Sequence, residues 1–372
     1  MKYYVVAGEA SGDLHAANLI RELLKKDDAP QFRCWGGDLM DEFDEVTLVK
    51  HYRDLAFMGF IEVVQNLKTI WNNIEFCKKD ITNYKPDVLI LVDYPGFNLR
   101  IAEFAHKAGI KVFYYISPQI WAWKQSRVHK IKRTVDRMFV ILPFEKPFYA
   151  RFGMDVDFVG HPLLDAIDRQ ETTSQADFRK KHQLDERPIV ALLPGSRKQE
   201  INSMLPVMLS VQQQFPDYQF VIGAGRSLEP MYYHSFDRYG AVNLVRNDTY
   251  ALLQHATAAL VTSGTATLEA ALFKVPEIVC YKGSYVSYTI ARKLIKVNYI
   301  SLVNLIMDRE IVKELIQKEF NAKTLADQLS GLLFDKEKGK KLLKNYDELA
   351  ERLGGKGASE KTASLMIQYL KP

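Results

Sequence analysis

Cysteine is scarce in this chain. Cys34, Cys77 and Cys280 are the only three among 372 residues, widely spaced and set in apolar runs. That spacing gives neither a disulfide framework nor a zinc-ligand pattern, so buried thiols in a reducing cytoplasm are expected. No run approaches the roughly 20 apolar residues of a membrane-spanning helix, so any membrane association is expected to be peripheral. The apolar start, Met1 to Ala7, meets Gly8 and acidic Glu9 at once and is too short for a signal-peptide core. Excess charge is modest at +5, so a basic surface requires local clustering. A dinucleotide fingerprint is missing too: Gly223-Ala224-Gly225 has Leu228 where the third glycine belongs, and Gly8-Glu9-Ala10-Ser11-Gly12-Asp13 has a different glycine spacing. Asp155-Val156-Asp157 has the form of a D-x-D motif, but no clustered His, Asp or Glu accompanies it, so neither a metal nor a cofactor is expected.

With 47% apolar and 26% charged residues, the chain reads as a soluble globular protein long enough for two domains. Short β-rich runs recur between helix-length segments: Tyr3 to Ala7, Phe32 to Trp35, Val88 to Val92, Lys111 to Ile116 and Met138 to Leu142. A second series follows at Ile189 to Leu193, Gln219 to Ile222, Val242 to Val245, Ala258 to Thr262 and Glu277 to Tyr281. Strands this apolar are buried on both faces, which predicts an α/β fold of two tandem Rossmann-like, doubly wound domains facing across a cleft. The boundary is expected near Phe158 to Pro162, giving domains of residues 1–165 and 166–345. The helical tail, 346–372, is expected to return to the first domain or to exchange between subunits.

Two strand–loop–helix turns in the second half carry the strongest chemical signal. In IVALLPGSRKQE, Gly195 and Ser196 precede Arg197, and Ser196-x-x-Gln199 has capping-box spacing. In AALVTSGTATLE, Ser263, Gly264 and Thr265 open a helix, with Glu269 about one turn further on. Helix starts of this kind seat anions, arginine can clamp phosphate, and a carboxylate can accept from ribose hydroxyls. Together the two turns suggest a nucleotide diphosphate, although each device also serves plain helix capping.

In the first half, Asp93 ends the run Val88 to Val92 and precedes Tyr94-Pro95-Gly96-Phe97-Asn98. A carboxylate at the C-terminal edge of a central strand can act as a base toward a hydroxyl, or cap the next turn. Glu9 and Asp13 read as polar contacts to an acceptor, or as parts of a plain tight turn. Trp121 and Trp123 adjoin a stripe of Arg127, Lys130, Arg133 and Arg137 at helical spacing. Aromatic plus basic suits an anionic membrane surface, while nucleic acid or an ordinary solvated helix would also use such a stripe. The apolar run around Met58 reads either as core or as a patch for acyl chains.

The motifs GEASGD at Gly8, MGFIEV at Met58, SPQIWAW at Ser117, LPFEKPFY at Leu142, VGHPL at Val159, LLPGSR at Leu192 and SGTATLE at Ser263 occur in one order along nearly the whole chain. That ordered set resembles the lipid-A-disaccharide synthase family, inverting glycosyltransferases of the two-domain GT-B type. The resemblance implies transfer of 2,3-diacylglucosamine from UDP-diacylglucosamine to the 6-hydroxyl of diacylglucosamine 1-phosphate, at an anionic phospholipid surface on the cytoplasmic face of the inner membrane. It implies catalytic roles for Asp93, Arg197 and Glu9. UDP contacts are implied for Gly195, Ser196, Arg197, Ser263, Gly264, Thr265, Glu269 and Asn304, with Gln317 on the next helix. Ser11, Met58, Gln119, Trp121, Trp123, Arg127, Lys130 and Arg133 fall on the acceptor and membrane side. Val303 stands where the family often has proline. The resemblance allows a homodimer and implies no nucleic-acid partner. Other UDP-sugar enzymes of this scaffold, such as a lipid-linked N-acetylglucosaminyl transferase or a 2-epimerase, are the nearest alternatives, and an epimerase has no use for the tryptophan-basic surface. A noncatalytic nucleotide-sensing adaptor docked on membranes is the alternative of another class, and in it Asp93 would be dispensable.

Overall fold

The computed structural model describes residues 1–55, 67–225, 228–240, 242–283 and 297–371. Met58 and its apolar run lie outside the described residues. The chain forms two compact units, residues 1–165 with 353–372, and residues 166–352.

The first unit holds a seven-stranded parallel sheet in the order β3-β2-β1-β4-β5-β6-β7. Its strands are β1 (Lys2–Ala7), β2 (Gln31–Gly36), β3 (Val46–His51), β4 (Val88–Val92), β5 (Lys111–Tyr115), β6 (Arg137–Val140) and β7 (Asp157–Phe158). All five residues of β4, Val-Leu-Ile-Leu-Val, are fully buried. At about 1.5–3 kcal/mol per buried aliphatic side chain, such a strand is held in the middle of its sheet. The order reverses between β1 and β4, where Ala7 pairs with Val92.

The second unit holds six parallel strands in the order β10-β9-β8-β11-β12-β13. These are β8 (Ile189–Leu193), β9 (Gln219–Ala224), β10 (Asn243–Arg246), β11 (Ala256–Thr262), β12 (Glu277–Tyr281) and β13 (Lys313–Ile316). Here the order reverses between β8 and β11, where Val261 pairs with Leu193. Open parallel sheets bind ligands beyond the strand ends at such a reversal. Each unit therefore brings together the turns after its two central strands, although those turns are far apart in sequence.

The return to the first unit falls at Leu353 rather than at residue 346, because the helix Lys336–Arg352 stays with the second unit. The last helix, Ala358–Leu370, packs on the helix Ala10–Leu24. Its start is capped by Asp165, whose carboxylate accepts from the backbone N–H groups of Gly357 at 2.6 Å and Ser359 at 3.0 Å.

Candidate active site

In the second unit the turns after β8 and β11 line one cavity of about 360 Å³, with Gly195, Ser196 and Arg197 on one side and Ser263, Gly264, Thr265 and Glu269 on the other. Gly195 has φ +105°, a left-handed backbone that favours glycine, and a Cβ there would overlap Glu200. The capping box is shifted by one residue from the expected Ser196–Gln199 pair: Arg197 is the N-cap of the helix Lys198–Ser210 and Glu200 closes the box. Glu200 accepts from the backbone N–H groups of Ser196 and Arg197 at 3.1 and 3.3 Å, and pairs with the Arg197 guanidinium at 2.9 Å. A carboxylate thus lies on the loop N–H donors at this helix start, the kind of position that attracts an anion.

Glu269 accepts from the Tyr250 hydroxyl at 3.0 Å. Burial raises its pKa, and the Tyr250 bond opposes the rise. Ser263 donates to the carbonyl of Ile300 at 2.7 Å. Asn304, expected as a UDP contact, has its side chain turned to internal partners. It is fully buried, its amide donates to Val312 and Glu314, and its oxygen accepts from the N–H groups of Ile311 and Val312. Every polar atom of that side chain is spent on bracing the segment before β13. Gln317 lies in the turn just after β13 rather than on a helix, and its N–H donates to the carbonyl of Tyr281.

In the first unit Glu9 and Asp93 leave the paired ends of β1 and β4. Asp93 and Tyr94 both take left-handed backbone, φ +45° and +48°, a strained arrangement for non-glycine residues. Burial raises the Asp93 carboxyl to about 7, the nearby charge of Glu9 adds to the rise, and the Tyr94 N–H opposes it. A carboxylate poised near neutrality suits proton abstraction from a hydroxyl. Asp13, by contrast, is buried and accepts from the N–H groups of Gly37, Leu39 and Met40, so it anchors the turn after β2 and is not available to a ligand. Ser11 and Gln119 are exposed.

The tryptophan-basic segment divides. Trp121 is 7% exposed and packs edge-on against Phe144 at 4.8 Å, so it belongs to the core and not to a lipid-facing surface. Trp123 is 41% exposed, with Lys124 and Arg127 over its ring at 4.5 and 5.4 Å. Arg133 is exposed, Lys130 is paired with Glu103 at 2.7 Å, and Arg137 begins β6 instead of extending the helix Val128–Thr134. Among the described residues no helix is long and apolar enough to cross a membrane.

Sequence reasoning missed Glu200, Thr249 and Tyr250. Glu200 stood inside the quoted motif, its signal being the glutamate three residues after the true N-cap. Thr249 and Tyr250 follow β10, and no local pattern ties them to β11.

Two Rossmann-like sheets, each with its turns gathered at the strand-order reversal, define a GT-B architecture. Solved structures with this fold include UDP-GlcNAc 2-epimerase from Neisseria meningitidis bound to UDP-GlcNAc, with a TM-score of 0.70 at 15% identity, covering 99% of this chain and 100% of that one. Another is the glycotransferase of kitacinnamycin, at 0.65 and 15%, covering 100% and 99%. Within that architecture, the lipid-A-disaccharide synthetase family matches residues 3–368. Lipid-A-disaccharide synthase of Syntrophus aciditrophicus is 41% identical, over 99% of this chain and 97% of the relative. That of Trichlorobacter lovleyi is 40% identical with the same coverage. The chain belongs to the lipid-A-disaccharide synthase family.

Proposed function

We propose that this protein is an inverting glycosyltransferase that moves 2,3-diacylglucosamine from its UDP derivative to the 6-hydroxyl of 2,3-diacylglucosamine 1-phosphate, giving the β-1′,6-linked lipid A disaccharide and UDP. The family match from residue 3 to residue 368 carries this reading. The anion seat at Arg197 and the raised carboxyl of Asp93 supply its chemistry.

The donor binds residues 166–352, with its diphosphate at Gly195, Ser196 and Arg197 and its ribose at Glu269. The acceptor binds the first unit, around Glu9 and Asp93. Asp93 takes the proton of the acceptor 6-hydroxyl as that oxygen attacks C1 of the donor sugar. The C1–O bond to UDP breaks on the opposite face, so configuration inverts and the electron pair leaves with the diphosphate. Arg197 and the helix start stabilise that growing charge with groups already oriented. Peripheral attachment to the anionic cytoplasmic face of the inner membrane uses Trp123, Lys124, Arg127 and Arg133.

The test is UDP release from UDP-diacylglucosamine with and without the phosphorylated acylated acceptor. Acceptor-dependent release is expected. Equal release in both arms, or none in either, overturns the reading and leaves an acceptor-independent enzyme or a nucleotide sensor.

A further inference from the structure

Asp93 occupies strained backbone, and the surroundings hold it there. The Asp93 carbonyl accepts from Asn98 Nδ2 at 2.8 Å and from the Tyr114 hydroxyl at 2.5 Å. Its own N–H donates to the carbonyl of Tyr115 at 3.1 Å. Asn98 Nδ2 also reaches the carbonyls of Val92, at 3.2 Å, and Val6, at 3.4 Å. Asn98 and Tyr114 are both fully buried. One amide therefore gathers the carbonyls of Val6 near the end of β1, Val92 at the end of β4 and Asp93 in the turn, while a hydroxyl from β5 also donates to that turn carbonyl.

Left-handed backbone at a residue other than glycine costs about 1–3 kcal/mol and persists only where neighbours over-determine it. Two such residues in succession, Asp93 and Tyr94, would relax toward ordinary turn geometry without these donors. The carboxylate would then leave the position set by the strand end.

We infer that Asn98 and Tyr114 are positioning residues for the Asp93 carboxylate, acting through its main-chain carbonyl. Neither side chain need touch substrate. This inference rests on the reading of Asp93 as the base. Tyr114 lies on the strand next to β4, and nothing in the sequence between it and Asp93 announces the contact.

The experiment compares Tyr114→Phe and Asn98→Ala with the wild type, and Tyr114→Phe in an Asp93→Asn background, using the full chain with UDP-diacylglucosamine and the acylated acceptor. Displacement of a catalytic group by about 1 Å costs up to about 10²-fold in rate. The expected loss in kcat is therefore about 10-fold for Tyr114→Phe and about 100-fold for Asn98→Ala, with KM for the donor and UDP binding unchanged. In the Asp93→Asn background, Tyr114→Phe should change the residual rate by a factor of about 1, because the group it positions is gone. If Asn98→Ala does not fold, Tyr114→Phe carries the test, since it removes one oxygen and keeps the buried ring. Wild-type kcat in Tyr114→Phe, or an equal loss with and without Asp93, overturns the positioning role and leaves the base assignment standing. Full turnover by Asp93→Asn alone overturns the base assignment, and the positioning role falls with it.

Discussion

Glu9 lies close enough to Asp93 at the paired ends of β1 and β4 for its charge to disfavour ionisation of the Asp93 carboxyl, second only to burial. The sign of a pH experiment follows. Asp93 must be ionised to accept a proton, so kcat should rise with pH through about 7. Glu9→Gln removes the like charge and should move that rising limb to lower pH, whatever it does to the maximal rate. A log kcat profile in which the limb stays put or moves upward would contradict this electrostatic coupling.

Asp93→Asn should lose about 10²–10⁴-fold in rate with little change in UDP affinity, the range typical of a lost general base. The same substitution should stabilise the protein under alkaline conditions. Between the ordinary aspartate value and about 7, the folded protein holds a proton that the unfolded chain releases, so the stability drawn from this group falls as pH rises through that window. An uncharged asparagine lacks that slope. Thermal melts at pH 8 should place the variant above the wild type, and at pH 4 the gap should shrink. A variant less stable at pH 8 than at pH 4, relative to wild type, would count against the buried charge.

Gly8 has the Tyr94 ring against it, and a Cβ at that position would overlap the ring. Gly8→Ala should push Tyr94 and, with it, the Asp93 turn, lowering kcat roughly as far as a 1 Å displacement does, up to about 10²-fold. UDP binding, which the proposed mechanism gives to residues 166–352, should stay unchanged by calorimetry. Wild-type turnover in Gly8→Ala would show that the turn tolerates the shift.

Glu200 holds the Arg197 guanidinium and two loop N–H groups that the proposal gives to the diphosphate. Glu200→Gln should therefore tighten UDP, by up to about fivefold, because a partly exposed ion pair is worth about 0–1 kcal/mol. Arg197→Ala should weaken UDP and slow turnover. Weaker UDP binding in Glu200→Gln would mean that the carboxylate orients the arginine and does not compete with phosphate.

Trp123→Ala should reduce sedimentation with anionic phospholipid vesicles, and added salt should reduce it further. Trp121→Phe should not, since Trp121 is packed against Phe144. Equal vesicle binding by wild type and Trp123→Ala would move the membrane contact elsewhere.

Ten strands were legible as predominantly apolar runs, because a strand buried on both faces strongly favours apolar residues. β3, β7 and β13 were not. Val46–His51 and Lys313–Ile316 carry lysine, histidine or glutamate at the sheet edges, and Asp157–Phe158 is only two residues long. The convergence of Gly195 with Ser263 was legible as two like turns, but their meeting depends on strand order, which local pattern does not encode. Trp121 and Trp123 are indistinguishable by composition; only the fold turns one inward. Asn304 was expected at UDP through the family resemblance, and residue type alone does not separate an internally satisfied amide from one that binds substrate.

The last helix of the first unit, Ala358–Leu370, is encoded after the whole of residues 166–352. During synthesis residues 166–352 emerge as one uninterrupted stretch and can close by themselves, whereas the amino-terminal sheet must wait, with the helix Ala10–Leu24 uncovered, until Ala358–Leu370 has emerged. The usual vectorial order of folding is inverted, and the half that bears Asp93 is completed after the other.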